Sequence, residues 1–424
     1  MKVTLDFGKQ PLSVELPDAN VVAVLGLQPM TPLSNPAQAV LEAIRSPIGC
    51  LPLREIALGK KNACIVICDI TRPVPNRHIL PAMLDELQAA GLESQYVTVL
   101  IATGTHRPNV GDELDLLVGQ EILTRCRVEN HYCREEHRYL GISPNGVPIY
   151  LNATYLDADL KITVGMIEPH FMAGYAGGRK MVMPGVAGLA TVQAWHSPKF
   201  LEPPSATNGI VKGNPTHEEA LWIARLAKPD MIVDVALDSS KRACRFFAGE
   251  MELAWEAGVR FVEPNVLSTV PEPVDIVVTS GGGFPLDLTF YQAVKGMVGA
   301  LPILKPNGSV IIAAACAEGI GNKHFADTLL STTDIDGFPV AIEHPDWTFV
   351  PDQWQVEELA KAVRGRRVFH INQGIPPDVL SKLFVTPCDT VEEAVRQALE
   401  IHGNDAKIAV IPKGPYVLPQ IGRS

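Results

Sequence analysis

Three short stretches set acid, base and charge side by side: Asp69, Thr71 and Arg72 in DITRP, His106 and Arg107 in GTHRP, and Glu168 with His170 in IEPHF. Each follows an apolar, β-rich run, at 63–68, 96–102 and 160–166, so each falls in a loop where a strand ends. Strands of one parallel sheet would bring the three loops together at its carboxyl edge, where open sheets bind ligands. Histidine titrates near neutrality, and two of them at homologous strand ends suit proton transfer on a small molecule. Taken singly, either histidine reads as well as a surface or core residue.

A second kind of chemistry is carried by GYAGGRKMVMPGVAG, residues 174–188, with WHSP following at 195–198. Glycine costs up to about 1 kcal/mol inside a helix, so this backbone makes tight turns or approaches a ligand closely. A phosphate is the first candidate ligand. The stretch is no P-loop, because counting from Gly174 puts Arg179 where the second glycine belongs and Met181 where Ser or Thr belongs. The GGGFPL run after Ser280 fails as a dinucleotide fingerprint, with Leu286 at the third glycine position. Lys180 is open to two readings: a solvated lysine beside a turn, or a phosphate contact or desolvated amine able to bond covalently. His196 divides in the same way between structure and metal ligation, and no HExxH or paired Cys and His spacing supports zinc. In PLDLTFYQAVKGM, 285–297, Asp287 precedes a helix on which Tyr291 and Lys295 share one face, with Gln292 beside them. That helix reads as a capped surface element or as a substrate clamp that the upstream glycines let start close to a ligand. His217, the pair His131 and His137, and Cys64 with Cys68 read as structural.

These loops need elements to hold them. Alternation at 2–7 and 12–16 predicts an opening hairpin, after which 63–68 leads to a helix over 76–90 that stops at Gly91. The run 96–102 leads to a helix over 112–125, and 231–237 to one over 251–258. Three prolines without periodicity at 264–273 read as a linker. Beyond it, strands are predicted at 275–280, 309–316, 368–372 and 407–411, and Thr390 with Glu393 makes a capping box for a helix through 399. Strands alternating with helices predict an α/β fold of two domains, 1–267 and 268–399, each with a mostly parallel sheet flanked by helices.

Composition bounds the function. The chain has 424 residues, 36 Lys plus Arg against 47 Asp plus Glu, and a net charge of −11. That balance argues against nucleic acid or an anionic membrane as partner, both of which need a basic face. The eight cysteines form no CxxC pair and sit mostly in apolar runs, as buried reduced thiols do. With no apolar signal core and no run near the roughly 20 residues of a membrane span, the expected location is cytoplasmic.

Taken in order, DITRPVP (69–75), GTHRP (104–108), EPHFMAGYAGGRKMVMPGVAG (168–188), WHSP (195–198) and PLDLTFYQAVKGM (285–297) resemble the nickel-dependent lactate racemase family. The resemblance implies a nickel-pincer nucleotide, a pyridinium mononucleotide that holds nickel through sulfur, carbon and sulfur. It makes Lys180 the covalent tether, through a thioamide, and His196 the protein ligand to nickel. Sulfur donors with one imidazole in a plane suit nickel better than zinc. Asp69, Ile70, Thr71 and Arg72 match the cofactor-contacting segment, with Arg72 also placed to meet a substrate carboxylate. His106 and His170 match the two catalytic histidines; Gln292 and Lys295 match substrate contacts, with Tyr291 beside them as a pocket wall.

The implied reaction interconverts the D and L enantiomers of a short 2-hydroxy acid, lactate first. One histidine removes the hydroxyl proton as the C2 hydride leaves to the cofactor; the 2-keto acid rotates, and the second histidine returns the proton as the hydride comes back. The resemblance also implies an active site in the interdomain cleft that closes over the substrate. It implies a last segment, 400–424, that returns to the first domain, and cofactor-biosynthesis enzymes as a requirement for activity. Residues 288–290 are expected to face the pocket, Phe290 leaving room for larger acids. Two other readings stand beside this one: an epimerase of a sugar acid or larger 2-hydroxy acid with the same cofactor, and a non-catalytic nickel-nucleotide binding protein.

Overall fold

Two six-stranded sheets organise the chain, each buried under helices, and the computed structural model describes residues 1–422. In the first sheet the order is Ala243–Gly249, Met231–Leu237, Leu160–Met166, Ala63–Cys68, Val97–Ala102, Arg127–Asn130. All neighbours are parallel except Ala243–Gly249, an antiparallel edge. Every residue of the central strand Ala63–Cys68 is buried, as its unbroken apolar run requires of a strand covered on both faces. The second sheet runs Thr386–Pro387, Arg367–Ile371, Leu304–Ala313, Val274–Ser280, Ile408–Ile411, Val21–Val24, parallel throughout. The α/β class with two mostly parallel sheets is therefore as expected.

The connections place a crevice in each sheet. In the first, the chain moves outward from Ala63–Cys68 through Val97–Ala102 to Arg127–Asn130, then crosses to Leu160–Met166 on the other side. In the second it moves outward from Val274–Ser280 and crosses back to Ile408–Ile411. Strand order reverses at these two points, and ligands bind outside the carboxyl ends of strands at such reversals.

Several expectations about the path of the chain need correction. The opening hairpin, Lys2–Leu5 with Leu12–Glu15, packs Val3, Leu5, Phe7, Val14 and Leu16 onto Ile276, Val278 and Ile311 of the second sheet, not onto the first. Val21–Val24 then joins that sheet beside Ile408–Ile411. The first 25 residues therefore go with the second sheet, against an N-terminal domain running unbroken over 1–267. Ile408–Ile411 likewise sits inside the second sheet, and the segment that reaches back is Leu418–Ile421, whose Leu418 packs into the first core. The expected linker at 264–273 is ordered: helix Met251–Val266 runs through Pro264, and Leu267–Val270 pairs in parallel with Leu418–Ile421. Its partner lies at the far end of the chain, so no local periodicity marks it as a strand. The helix expected over 112–125 is broken at Gly119, φ +84°, into Asp112–Val118 and Gln120–Arg125. Thr390 caps helix Val391–His402 through the Glu393 N–H, as predicted.

All eight cysteines are free thiols, seven buried and Cys50 half-buried. Among the described residues, no helix is long and apolar enough to cross a membrane.

Candidate active site

The reversal in the first sheet brings together the three loops singled out in the sequence. Asp69 follows Ala63–Cys68 and is buried; its Oδ2 lies 2.7 Å from His106 Nδ1, and its Oδ1 accepts from the Thr71 hydroxyl at 2.5 Å and the Thr71 N–H at 3.2 Å. Burial pushes the Asp69 carboxyl up, but the bonds from His106 and Thr71 and the charge of Arg72 outweigh it and hold it below its usual range. An ionised Asp69 accepts only, so His106 carries its proton on Nδ1 and presents the Nε2 lone pair. Arg72 Nε makes an ion pair with Glu168 Oε1 at 2.9 Å, and its two terminal nitrogens form a fork beyond that contact. Burial opposes the Arg72 charge, and Glu168 and Asp69 more than restore it.

His170 lies in a two-residue strand, Pro169–His170, paired antiparallel with Gly174–Tyr175. Its Nδ1 accepts from the N–H groups of Met172 and Ala173, both at 3.3 Å. Burial, then the charges of Lys180, Lys295, Arg72 and Arg179, hold it well below the usual imidazole range.

The glycine-dense loop folds into tight turns against protein. At Gly177, φ +77°, a Cβ would stand 2.7 Å from Asp234 Oδ2, and at Gly185 it would stand 2.2 Å from the Met181 carbonyl. Asp234 Oδ2 accepts the Gly178 N–H at 2.8 Å, and the buried Arg179 lies over the Trp255 ring at 4.4 Å while donating to the carbonyls of Ala173 and Tyr175. Held this way, Lys180 sits in a 3-10 turn, Gly178–Met181, with Nζ 5.4 Å from the Trp195 ring. Burial, then Arg179, Arg72 and Lys295, push its amine well below the usual range. His196 ends helix Leu189–Trp195 and is 8% exposed; its Nδ1 is buried with no hydrogen-bond partner. Its ring stacks on Trp354 at 4.5 Å and 21°.

Helix Phe290–Ala300 supplies the rest from the second sheet. Thr289 caps it, accepting from the Gln292 N–H, and Asp287 is a buried clamp on the N–H groups of Gly8 and Ala315 rather than a ligand contact. Lys295 Nζ lies 5.6 Å from the ring of Phe171, which packs into the second core; burial and then Arg72 lower its amine to about 7, against Glu168 and Asp69. Gln292 Oε1 is buried without a partner. The Tyr291 hydroxyl is committed to Asp352 at 3.2 Å and accepts from Trp354 Nε1 at 3.4 Å, so only its ring is left to offer a pocket. Phe290 is fully buried against His370 in the second core, which corrects the expectation that it faces the pocket and leaves room for larger acids. Ile70 is exposed, with its N–H on Asn109 Oδ1, and Arg107 forms a surface pair with Glu113.

The geometry can be set against known proteins. The Lactate racemase N-terminal domain model matches residues 7–209 and the Lactate racemase C-terminal domain model matches 270–418. The chain belongs to the lactate racemase family. It is 34% identical to the lactate racemase of Thermoanaerobacterium thermosaccharolyticum over 421 residues, 98% of both chains. It is equally identical to that of Lactiplantibacillus plantarum over 423 residues, 98% of this chain and 99% of the relative. The solved lactate racemase apoprotein from the first organism superposes with a TM-score of 0.92 over 99% of this chain and 100% of its own. A Thermotoga maritima protein, 18% identical with a TM-score of 0.67 over 92% of this chain and 99% of its own, shares the fold.

As a member of this family the chain is an isomerase of the racemase type. Sequence reasoning missed Trp354, whose ring stacks on His196, and Tyr416, whose turn packs against Pro169–His170. The aromatic stretch before helix Gln353–Val363 was the one available signal for Trp354; Tyr416, in a Gly-Pro turn, offered none.

Proposed function

We propose that this protein racemises a short 2-hydroxy acid, lactate first, using a nickel-pincer nucleotide. The observation that carries the reading is the pairing of two nitrogen groups on one loop system: the half-buried Lys180 amine, pushed well below its usual range, and the buried, partnerless His196 Nδ1. An amine whose basicity is lowered gives up its proton readily to act as a nucleophile, and a buried imidazole nitrogen without a partner is an open ligand. These residues fit the group: Lys180 would tether it, His196 would ligate its nickel, and Asp69, Ile70, Thr71 and Arg72 would contact it. When bound, it supplies a reversible hydride acceptor.

The chain does the remaining work in the cleft between the two units. The terminal nitrogens of Arg72, oriented by Glu168, hold the substrate carboxylate as a fork. Lys295 adds charge to the same end while Gln292 offers its open amide. His106, fixed by Asp69, takes the hydroxyl proton at Nε2. His170 would receive the oxygen after rotation of the keto acid and serve the opposite enantiomer. Apolar walls from Phe171 and Trp195 keep water from the reacting carbon.

The test is a panel of single enantiomers, lactate and gluconate-like acids among them, offered to cofactor-loaded protein. Lactate should be racemised fastest, and production of no opposite enantiomer from any acid would sink the reading. His106→Ala and His170→Ala should each abolish turnover with nickel retained. Unaltered function in both would instead favour a cofactor-binding protein.

A further inference from the structure

The reversal in the second sheet lies between Val274–Ser280 and Ile408–Ile411, and the turn that follows the latter is Gly414–Tyr416. That turn packs against Pro169–His170 of the first unit and against helix Phe290–Ala300, which carries Gln292 and Lys295. It is held firmly. Gly414 has φ +43°, and any Cβ there would stand 1.9 Å from the Ser280 carbonyl; the Ser280 hydroxyl donates to the Pro412 carbonyl at 2.8 Å. The Tyr416 ring covers Gly282, whose absent Cβ would lie 3.1 Å from it. Burial, then Glu168, raise its phenol above the usual range, with Arg72 opposing. At neutral pH the group is therefore an O–H donor, on a turn that packs against the strand of His170 and the helix of Lys295.

We propose that Tyr416 is a substrate-contacting residue, its O–H donating to the carboxylate that Arg72 receives and its ring walling the pocket. This rests on the racemase reading above. A rigid phenol adds one directional bond where Arg72 and Lys295 add charge, and it comes from the tail of the chain, so both crevices contribute to one anion site. Removal of the hydroxyl weakens ground state and transition state alike, because the carboxylate does not change during the reaction.

The test compares Tyr416→Phe and Arg72→Gln with the unaltered protein, all cofactor-loaded and matched for nickel. KM for each lactate enantiomer is measured, together with Kd for propanoate, which keeps the carboxylate and lacks the hydroxyl. For Tyr416→Phe, both constants should rise about 5- to 20-fold with kcat within about twofold and the thermal midpoint unchanged. Constants unchanged in Tyr416→Phe but raised in Arg72→Gln would overturn the proposal and leave the racemase reading standing. Constants unchanged in both would overturn the carboxylate assignment and the proposal together. A fall in kcat at constant KM with a lowered midpoint would make Tyr416 a packing residue and also overturn it.

Discussion

Asp69→Asn isolates what the carboxylate does for His106. Asparagine keeps the shape, and its amide oxygen can keep the Thr71 contacts at Oδ1. Its NH2 then faces His106 Nδ1, across what was a 2.7 Å bond, and a donor there needs an acceptor. The ring answers by moving its proton to Nε2, the atom meant to take the substrate proton. Restoring the working tautomer forfeits a charge-assisted bond of about 1.5–3 kcal/mol, and at 1.36 kcal/mol per decade that is roughly a 10- to 150-fold fall in kcat/KM. The assay is the initial rate from each lactate enantiomer, with nickel and Lys180 adduct measured on the same samples. Equal adduct with the expected fall supports the dyad. Rates within about twofold of the unaltered protein at every pH would refute it.

Other outcomes follow from the same geometry. The Lys295 amine, lowered to about 7, loses its proton as pH rises, so KM should climb roughly tenfold per unit above pH 7 until Arg72 alone holds the anion; Lys295→Arg should flatten the climb, and a KM flat from about pH 6 to 9 would contradict the placement. Trp354→Ala removes the ring stacked on His196, and nickel should leave about 10-fold faster on dialysis against a chelator. Trp354→Phe should restore retention, and equal loss rates in all three proteins would mean that the stack does not orient the imidazole.

Much of this arrangement was legible because the catalytic loops follow strands that announce themselves. Ala63–Cys68 and Leu160–Met166 are apolar runs, and parallel pairing necessarily puts Asp69 and His170 on one edge. The glycine loop was legible as unusual, although its glycines turned out to avoid Asp234, Trp255 and backbone. Trp354 was harder to see because helix Gln353–Val363 buries Gln353, Gln355, Glu357 and Glu358, which erases the apolar stripe by which a helix is recognised. Val21–Val24 was not foreseen as a strand and Leu267–Val270 was read as linker because each pairs with a strand near the end of the chain, and no local pattern encodes such a partner. Phe290 was misread as a pocket residue because a motif gives spacing and not facing. Within its helix, Phe290 lies on the side presented to the second core.

The central claim is that Lys180 and His196 exist to hold a nickel nucleotide. Its most direct test is the intact mass and nickel content of protein purified from a host that makes the cofactor, with peptide mapping across 174–196. That protein should carry a nucleotide-sized adduct on Lys180 and one nickel per chain. Unmodified Lys180 and nickel-free protein from that host would contradict it.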